Sequence, residues 1–216
     1  MTNETIWNSL HGLEEHFLHT EEKRMEKKFI ESINVKGFNC LDIGFNYGWW
    51  SWILLQNIGK KGKVYAWEPS KFLYENYLAK WPFKNIIGYD YALSDKTGIQ
   101  DFYVYSDKGF GSGLNSLEKE NAGEEETPKE IRKVQTKTLD DWWNENGGPN
   151  INLIKVDCEG HDFKILQGGK QLIKITQPEF IIVEQKNALL SNFMQELNYT
   201  KIHNEIGLID SVWKLT

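Results

Sequence analysis

The chain opens on apolar residues at helical spacing. Ile6, Leu10, Leu13 and Phe17 fall on one face, and the pattern predicts helix over residues 4–33. From Asn39 the period changes. A short apolar run, Asn39–Gly44, ends in the turn Gly44-Phe45-Asn46-Tyr47-Gly48, and a helical stretch from Trp49 to Ile58 closes at Gly59 and Gly62. Lys63–Trp67 reads as a strand ending at Glu68-Pro69, residues 70–80 as helix, and Asn85–Tyr89 as a third strand. This β-α-β-α-β series is the signature of a parallel sheet with right-handed crossovers.

The second half continues the alternation. Residues 99–105 alternate with Ile99, Phe102 and Val104, and Val134–Thr138 forms a further strand candidate before a short helix at Leu139–Trp143. Between them, residues 118–130 are nearly all polar and include Glu124-Glu125-Glu126, which predicts a mobile acidic loop. Ile151–Val156 is an apolar strand ending at Asp157, followed by one helix over Asp162–Ile173. Phe180–Val183 is a buried strand ending at Glu184, and residues 189–215 supply a last helix and two strands. No linker interrupts the pattern, so the expectation is one domain over residues 1–216, with residues 1–36 as a helical extension.

Composition narrows the function classes. With 216 residues the chain can bury a sizeable core, and 40% hydrophobic against 26% charged residues is ordinary for a globular protein. The formal net charge of -6 disfavours a nucleic-acid-binding surface, because the lysines are interspersed with acids, as in Glu21-Glu22-Lys23-Arg24. Met1–Leu10 lacks a signal-peptide pattern, and no apolar run is long enough for a transmembrane helix. Cys40 and Cys158 are too few for a disulfide framework or a zinc cluster. The expectation is therefore a cytoplasmic protein with free thiols that binds neither membrane nor nucleic acid. His11, His16 and His19 read as surface residues of the first helix rather than as a metal set.

In a doubly wound sheet, ligands bind beyond the carboxyl ends of the strands. After the first strand stands Asp42-Ile43-Gly44-Phe45-Asn46-Tyr47-Gly48, where glycines allow a tight turn and the next helix aims its N-terminal amides at a ligand. A dinucleotide usually takes Gly-x-Gly-x-x-Gly here. Asn46 stands at the second glycine, the third is missing, and Asp42 would repel a pyrophosphate. S-adenosylmethionine brings an ammonium and a sulfonium, which an acid favours. Glu68 follows the second strand, and a carboxylate there accepts the hydroxyls of a ribose in either cofactor.

The fourth turn concentrates ionisable groups: Ile154-Lys155-Val156-Asp157-Cys158-Glu159-Gly160-His161-Asp162. In extended backbone Asp157 and Glu159 point the same way. Gly160 permits a sharp turn, and Asp162 is a candidate N-cap for the following helix. Asp157, Glu159 and His161 are the candidate catalytic residues. Two arrangements could deprotonate a hydroxyl: His161 as general base, or a Mg²⁺ ion held by Asp157, Glu159 and Glu184.

These segments, in this order, resemble the FkbM family of methyltransferases. The resemblance runs from Leu41-Asp42-Ile43-Gly44-Phe45-Asn46-Tyr47-Gly48 through Trp67-Glu68-Pro69, Tyr91-Ala92-Leu93-Ser94-Asp95 with Gly98, and Thr136-Lys137-Thr138-Leu139-Asp140-Asp141. Its longest stretch is Ile154–Gly169, and it ends at Pro178 and Ile182-Val183-Glu184. It implies a class I methyltransferase fold, a Rossmann-like α/β architecture with a mostly parallel seven-stranded sheet and helices on both faces. It also implies methyl transfer from S-adenosyl-L-methionine, usually to a hydroxyl of a sugar or secondary metabolite, so the expected partner is a small-molecule or carbohydrate acceptor. Carried over, Asp42, Gly44, Asn46 and Gly48 hold the methionine end, Glu68 the ribose, and Asp90 or Ala92 lies near the adenine. Phe45 replaces a small residue in the turn, and Asp162 replaces a common Glu. The competing classes are an NAD-dependent oxidoreductase and a non-catalytic cofactor-binding protein. The first is disfavoured by Asp42 and the missing third glycine, the second by the intact acids Asp157 and Glu159.

Overall fold

A computed structural model describes residues 20–106, 113–119, 127–184, 188–202 and 211–216. Residues 1–19, with the three histidines of the expected first helix, lie outside the described residues. Helix α1 is Glu21–Ser32. Thr20 caps it, its side chain accepting from the Lys23 amide, and Glu21 and Glu22 sit in the first turn, where they complement the helix dipole.

A seven-stranded sheet forms the centre. In chain order its strands are β1 (Asn39–Ile43), β2 (Lys63–Trp67), β3 (Ile86–Tyr89), β7 (Leu153–Val156), β8 (Phe180–Val183), β9 (Tyr199–Ile202) and β10 (Ser211–Leu215). Their spatial order is β3-β2-β1-β7-β8-β10-β9. The first five pair in parallel, and β10 runs antiparallel to β8 and to β9. The central strands are buried on both faces, as a sheet covered by helices requires, so their sequences are mainly apolar, with Asp42 in β1 and Lys155 in β7 as buried charged exceptions. Helices α2 (Trp49–Ile58), α3 (Lys71–Asn76), α4 (Leu139–Glu145), α5 (Asp162–Gln167), α6 (Lys170–Thr176) and α7 (Ala188–Glu196) connect the strands. Two apolar clusters form, one including Leu41, Trp142 and Ile154, the other Cys40, Ile53 and Ile182. A smaller sheet, in the order β4-β6-β5, consists of β4 (Ala92–Leu93), β5 (Gly98–Val104) and β6 (Glu130–Lys137).

Three expectations need correction. The single helix expected over Asp162–Ile173 is two, α5 and α6, broken at Gly168-Gly169. A Cβ on Gly168 would stand 2.2 Å from the Ser94 carbonyl oxygen, so the break lets the helix end press against the chain after β4. Asp162 does not cap α5. The cap position is His161, and the Asp162 carboxylate instead accepts the Cys158 amide at 2.8 Å, closing the turn beneath it. The acidic loop expected over 118–130 is shorter at both ends: Glu118 is anchored by two side chains, Glu130 begins β6, and residues 120–126 lie outside the described residues.

The joints between elements use the polar motifs noted above. Thr138 caps α4 by accepting from Asp141, while Asp140 accepts the amides of Gln171 and Leu172 at the start of α6. The segment Thr136–Asp141 is thus a connector between two helix ends.

Candidate active site

The carboxyl ends of β1, β2 and β7 open onto a cavity of about 110 Å³. Its walls divide chemically. Ile43, Trp67, Ala92, Leu93, Phe102 and Ile165 make an apolar side, and Glu68, Asp157 and Glu159 bring carboxylates.

The turn after β1 explains its residues. Gly44 has φ +91, and a Cβ there would lie 1.9 Å from the Asp157 carbonyl oxygen, so the two strand ends meet at a distance only glycine allows. Asn46 also takes a left-handed conformation, φ 51, and its amide donates to Glu68 Oε2 at 2.8 Å. Glu68 accepts a second amide, that of Ser70, through Oε1 at 2.9 Å. Burial pushes its carboxyl up to about 7 in spite of these two amides. A helix start, α2, follows at Gly48.

Of the expected cofactor residues, Gly44, Asn46, Glu68 and Ala92 line the cavity. Asp42, Gly48 and Asp90 do not. Asp42 is buried beneath the turn, where Oδ2 accepts from the Ser51 hydroxyl at 2.5 Å and Oδ1 has no hydrogen-bond partner among the described residues. Burial raises its carboxyl to about 6, with Ser51 and Lys155 acting against the rise. Gly48 faces the Phe45 and Trp81 rings, and Asp90 is exposed.

The fourth turn brings its acids together by a route other than strand alternation. β7 ends at Val156, and Glu159 has φ 50, so Asp157 and Glu159 converge through a turn rather than an extended segment. Carboxylate oxygens of Asp157, Glu159 and Glu184 lie within 4.8 Å of one another. Burial opposes ionisation of Asp157, yet the Lys155 ammonium 3.2 Å away and a hydrogen bond from Glu184 hold its carboxyl below the usual range. Glu184 carries the opposite shift, up to about 8, through burial and the negative charges of Asp157 and Glu159. Glu184 therefore keeps the shared proton and Asp157 the charge.

His161 is buried, and both ring nitrogens have protein partners. Nδ1 lies 2.6 Å from Glu118 Oε1 and Nε2 lies 3.0 Å from Ser94 Oγ. Burial lowers its pKa, and Glu118 acts against that shift.

Sequence reasoning missed Lys155, Glu118, Ser94 and Ser116. Lys155 alone left a signal. A lysine inside an apolar strand requires a buried anionic partner, and it is fully buried with Nζ against Asp157 and 5.2 Å from the Trp50 ring centre. The others meet their partners across sequence separations that no local pattern reports.

Comparison with known proteins agrees with this geometry. Residues 42–202 match the family described as the methyltransferase FkbM domain. The chain is 28% identical over 178 residues to the 2-O-methyltransferase NoeI of Sinorhizobium fredii, covering 76% of this chain and 70% of that protein. A shorter match, 32% identical over 80 residues, links it to a ribosomal RNA large subunit methyltransferase E of Buchnera aphidicola, over 36% of this chain and 34% of that one. A solved FkbM methyltransferase from Methylobacillus flagellatus superposes with a TM-score of 0.54 at 14% identity, over 84% of this chain and 44% of that longer chain, a likeness of fold. The strand order, the turn that Gly44 permits and the match over residues 42–202 lead to one conclusion: the chain belongs to the FkbM family of S-adenosylmethionine-dependent methyltransferases.

Proposed function

We propose that the protein transfers a methyl group from S-adenosylmethionine to a hydroxyl of a carbohydrate or a related small molecule. The observation that carries this reading is one cavity that joins a buried ribose-type acid, Glu68, to the acids Asp157 and Glu159. The residues fit the cofactor. The apolar wall of Ala92, Leu93, Phe102 and Ile165 suits a flat base, Glu68 a diol, and the acids a cationic end. Bound there, the cofactor supplies an electrophilic methyl on a sulfonium.

The chain's own work is to place and deprotonate the acceptor. Asp157 and Glu159 orient the hydroxyl by accepting its hydrogen bond, and the ionised Asp157 carboxylate takes up its proton as the new carbon–oxygen bond forms and the carbon–sulfur bond breaks. His161, which lines the cavity with its nitrogens against Glu118 and Ser94, supports this turn. An acidic rim disfavours polyanionic acceptors such as nucleic acid and suits a neutral polyol. The name of NoeI, a 2-O-methyltransferase, supports a hydroxyl acceptor. A second reading rests on the 4.8 Å spacing of the three acids, which would hold a divalent cation such as Mg²⁺. Among the described residues no helix is long and apolar enough to cross a membrane, and both cysteines are free thiols, as a cytoplasmic setting allows.

The test is turnover with a library of sugars and glycosides, before and after exhaustive chelation. Methyl ether formation that survives chelation supports the carboxylate reading. Loss of turnover restored by Mg²⁺ transfers the role to the cation.

A further inference from the structure

Part of the cavity wall comes from outside the central sheet. Gly113, Asn115, Ser116 and Leu117 line it from a short segment between β5 and β6. The segment is held at one end to its own hairpin. Ser116 bridges Tyr103 by two backbone hydrogen bonds, and Asn115 Oδ1 accepts the amides of Tyr105 and Ser106.

At the other end it is fastened to the turn that carries the reacting acids. The Ser116 hydroxyl donates to the Glu159 carbonyl at 2.8 Å. Glu118 Oε1 meets His161 Nδ1 and Lys164 Nζ, each at 2.6 Å. On its far side the His161 ring reaches Ser94 Oγ at 3.0 Å, which in turn accepts from Gln100. The imidazole therefore spans three separate pieces of chain: the wall segment, the turn after β7, and the stretch following β4. The ring also lines the cavity, while its two nitrogens are occupied by Glu118 and Ser94.

From this geometry we infer that His161 and Glu118 are a pair of positioning residues, which clasp the Gly113–Lys119 wall onto the Asp157–Glu159 turn and so complete one side of the cofactor cavity. The inference rests on the cavity being the S-adenosylmethionine site and is independent of which acceptor is methylated. Glu118 enters a charge-assisted network with Lys164 and His161, which is shorter and stronger than a neutral one. It also gives His161 a role that needs no proton transfer.

The experiment is calorimetric binding of S-adenosylhomocysteine to the full chain and to Glu118→Ala, His161→Ala, the double variant and His161→Asn. Each alanine variant is expected to raise Kd by roughly 10- to 100-fold, the range for removing one charge-assisted hydrogen bond. The double variant should be no worse than either single one, because both break the same clasp. His161→Asn, whose side-chain amide takes the place of Nδ1, should bind within about threefold of the parent, well inside the loss from one missing hydrogen bond. Should an alanine variant fail to fold, hydrogen exchange over residues 113–119 in Ser116→Ala replaces it: the clasp predicts faster exchange there and weaker binding. Unchanged affinity in both alanine variants overturns the inference. So does a His161→Asn variant that binds normally but loses turnover by roughly 10²–10⁴, the signature of a general base. A wrong acceptor assignment would leave all the binding results intact.

Discussion

Replacing Glu68 with alanine separates what this acid does for the cofactor from what it costs the free protein. Glu68 is 5% exposed and already accepts two backbone amides, from Asn46 and Ser70. Its pKa is nonetheless raised to about 7 from 4.5, so burial outweighs both amides. The sign follows. An acid with a raised folded pKa contributes stability in full below its unfolded pKa, and that contribution is lost as pH rises through about 7. A rise of this size is worth about 3 kcal/mol at one pKa unit per 1.36 kcal/mol. The parent should therefore lose stability between about pH 4.5 and about pH 7 through this group, and Glu68→Ala should flatten that part of its profile. Binding runs the other way. A ribose donates to the ionised carboxylate, so affinity for S-adenosylhomocysteine should fall below about pH 7 in the parent. The variant should bind roughly 10- to 150-fold more weakly, the equivalent of about 1.5–3 kcal/mol for charge-assisted hydrogen bonds. Calorimetry across pH, paired with thermal unfolding, reads both effects. A dissociation constant unchanged in the variant, or unaffected by pH in the parent, would refute a ribose contact by Glu68.

Three further outcomes are expected. Gly44→Ala should lower stability by more than ~2 kcal/mol, since its Cβ collides with the Asp157 carbonyl and its backbone is left-handed; a loss of Tm of roughly 4–8 °C checks it, and a normal Tm would show that the strand ends can part. Lys155→Met should cost about 1–3 kcal/mol at neutral pH and lift the Asp157 pKa, because the stability that a depressed acid supplies above its unfolded pKa disappears; denaturant unfolding at neutral and at acid pH should find the parent–variant gap narrowing as pH falls. Turnover should survive exhaustive chelation, and abolition of turnover would favour the cation reading of Asp157, Glu159 and Glu184.

The legible parts of the fold were those whose pattern is local. Trp49–Ile58, Lys63–Trp67 and Phe180–Val183 stand where apolar runs and glycine stops put them, because a parallel sheet buried on both faces leaves unbroken hydrophobic strands. The break at Gly168-Gly169 was hidden because apolar residues at helical spacing continue past it. Its cause is the Ser94 carbonyl, far away in sequence. Asp162 reads as a cap from composition, but its oxygen is drawn back to the Cys158 amide by a turn geometry that the sequence does not spell out.

The candidate site divides in the same way. Gly44, Asn46, Glu68 and Ala92 face the cavity as strand-end position suggests, while Asp42 lies beneath it and Asp90 outside. Asp157, Glu159 and Glu184 converge, although by a left-handed Glu159 rather than by alternation along a strand. His161 reads as a candidate base because an unperturbed imidazole titrates near neutrality. Its two partners, Glu118 and Ser94, come from segments separated from it by |i−j| of 43 and 67, and only the folded chain brings them to its ring.

The most direct test of the central claim is transfer of isotope-labelled methyl from S-adenosylmethionine to a panel of free sugars, glycosides and lipid-linked sugars, with the product resolved by mass spectrometry. The account predicts label in a base-stable methyl ether on a carbohydrate hydroxyl, formed by the parent and lost in Asp157→Asn. Label found only on nitrogen or in a base-labile ester, or turnover undiminished in Asp157→Asn, would contradict it.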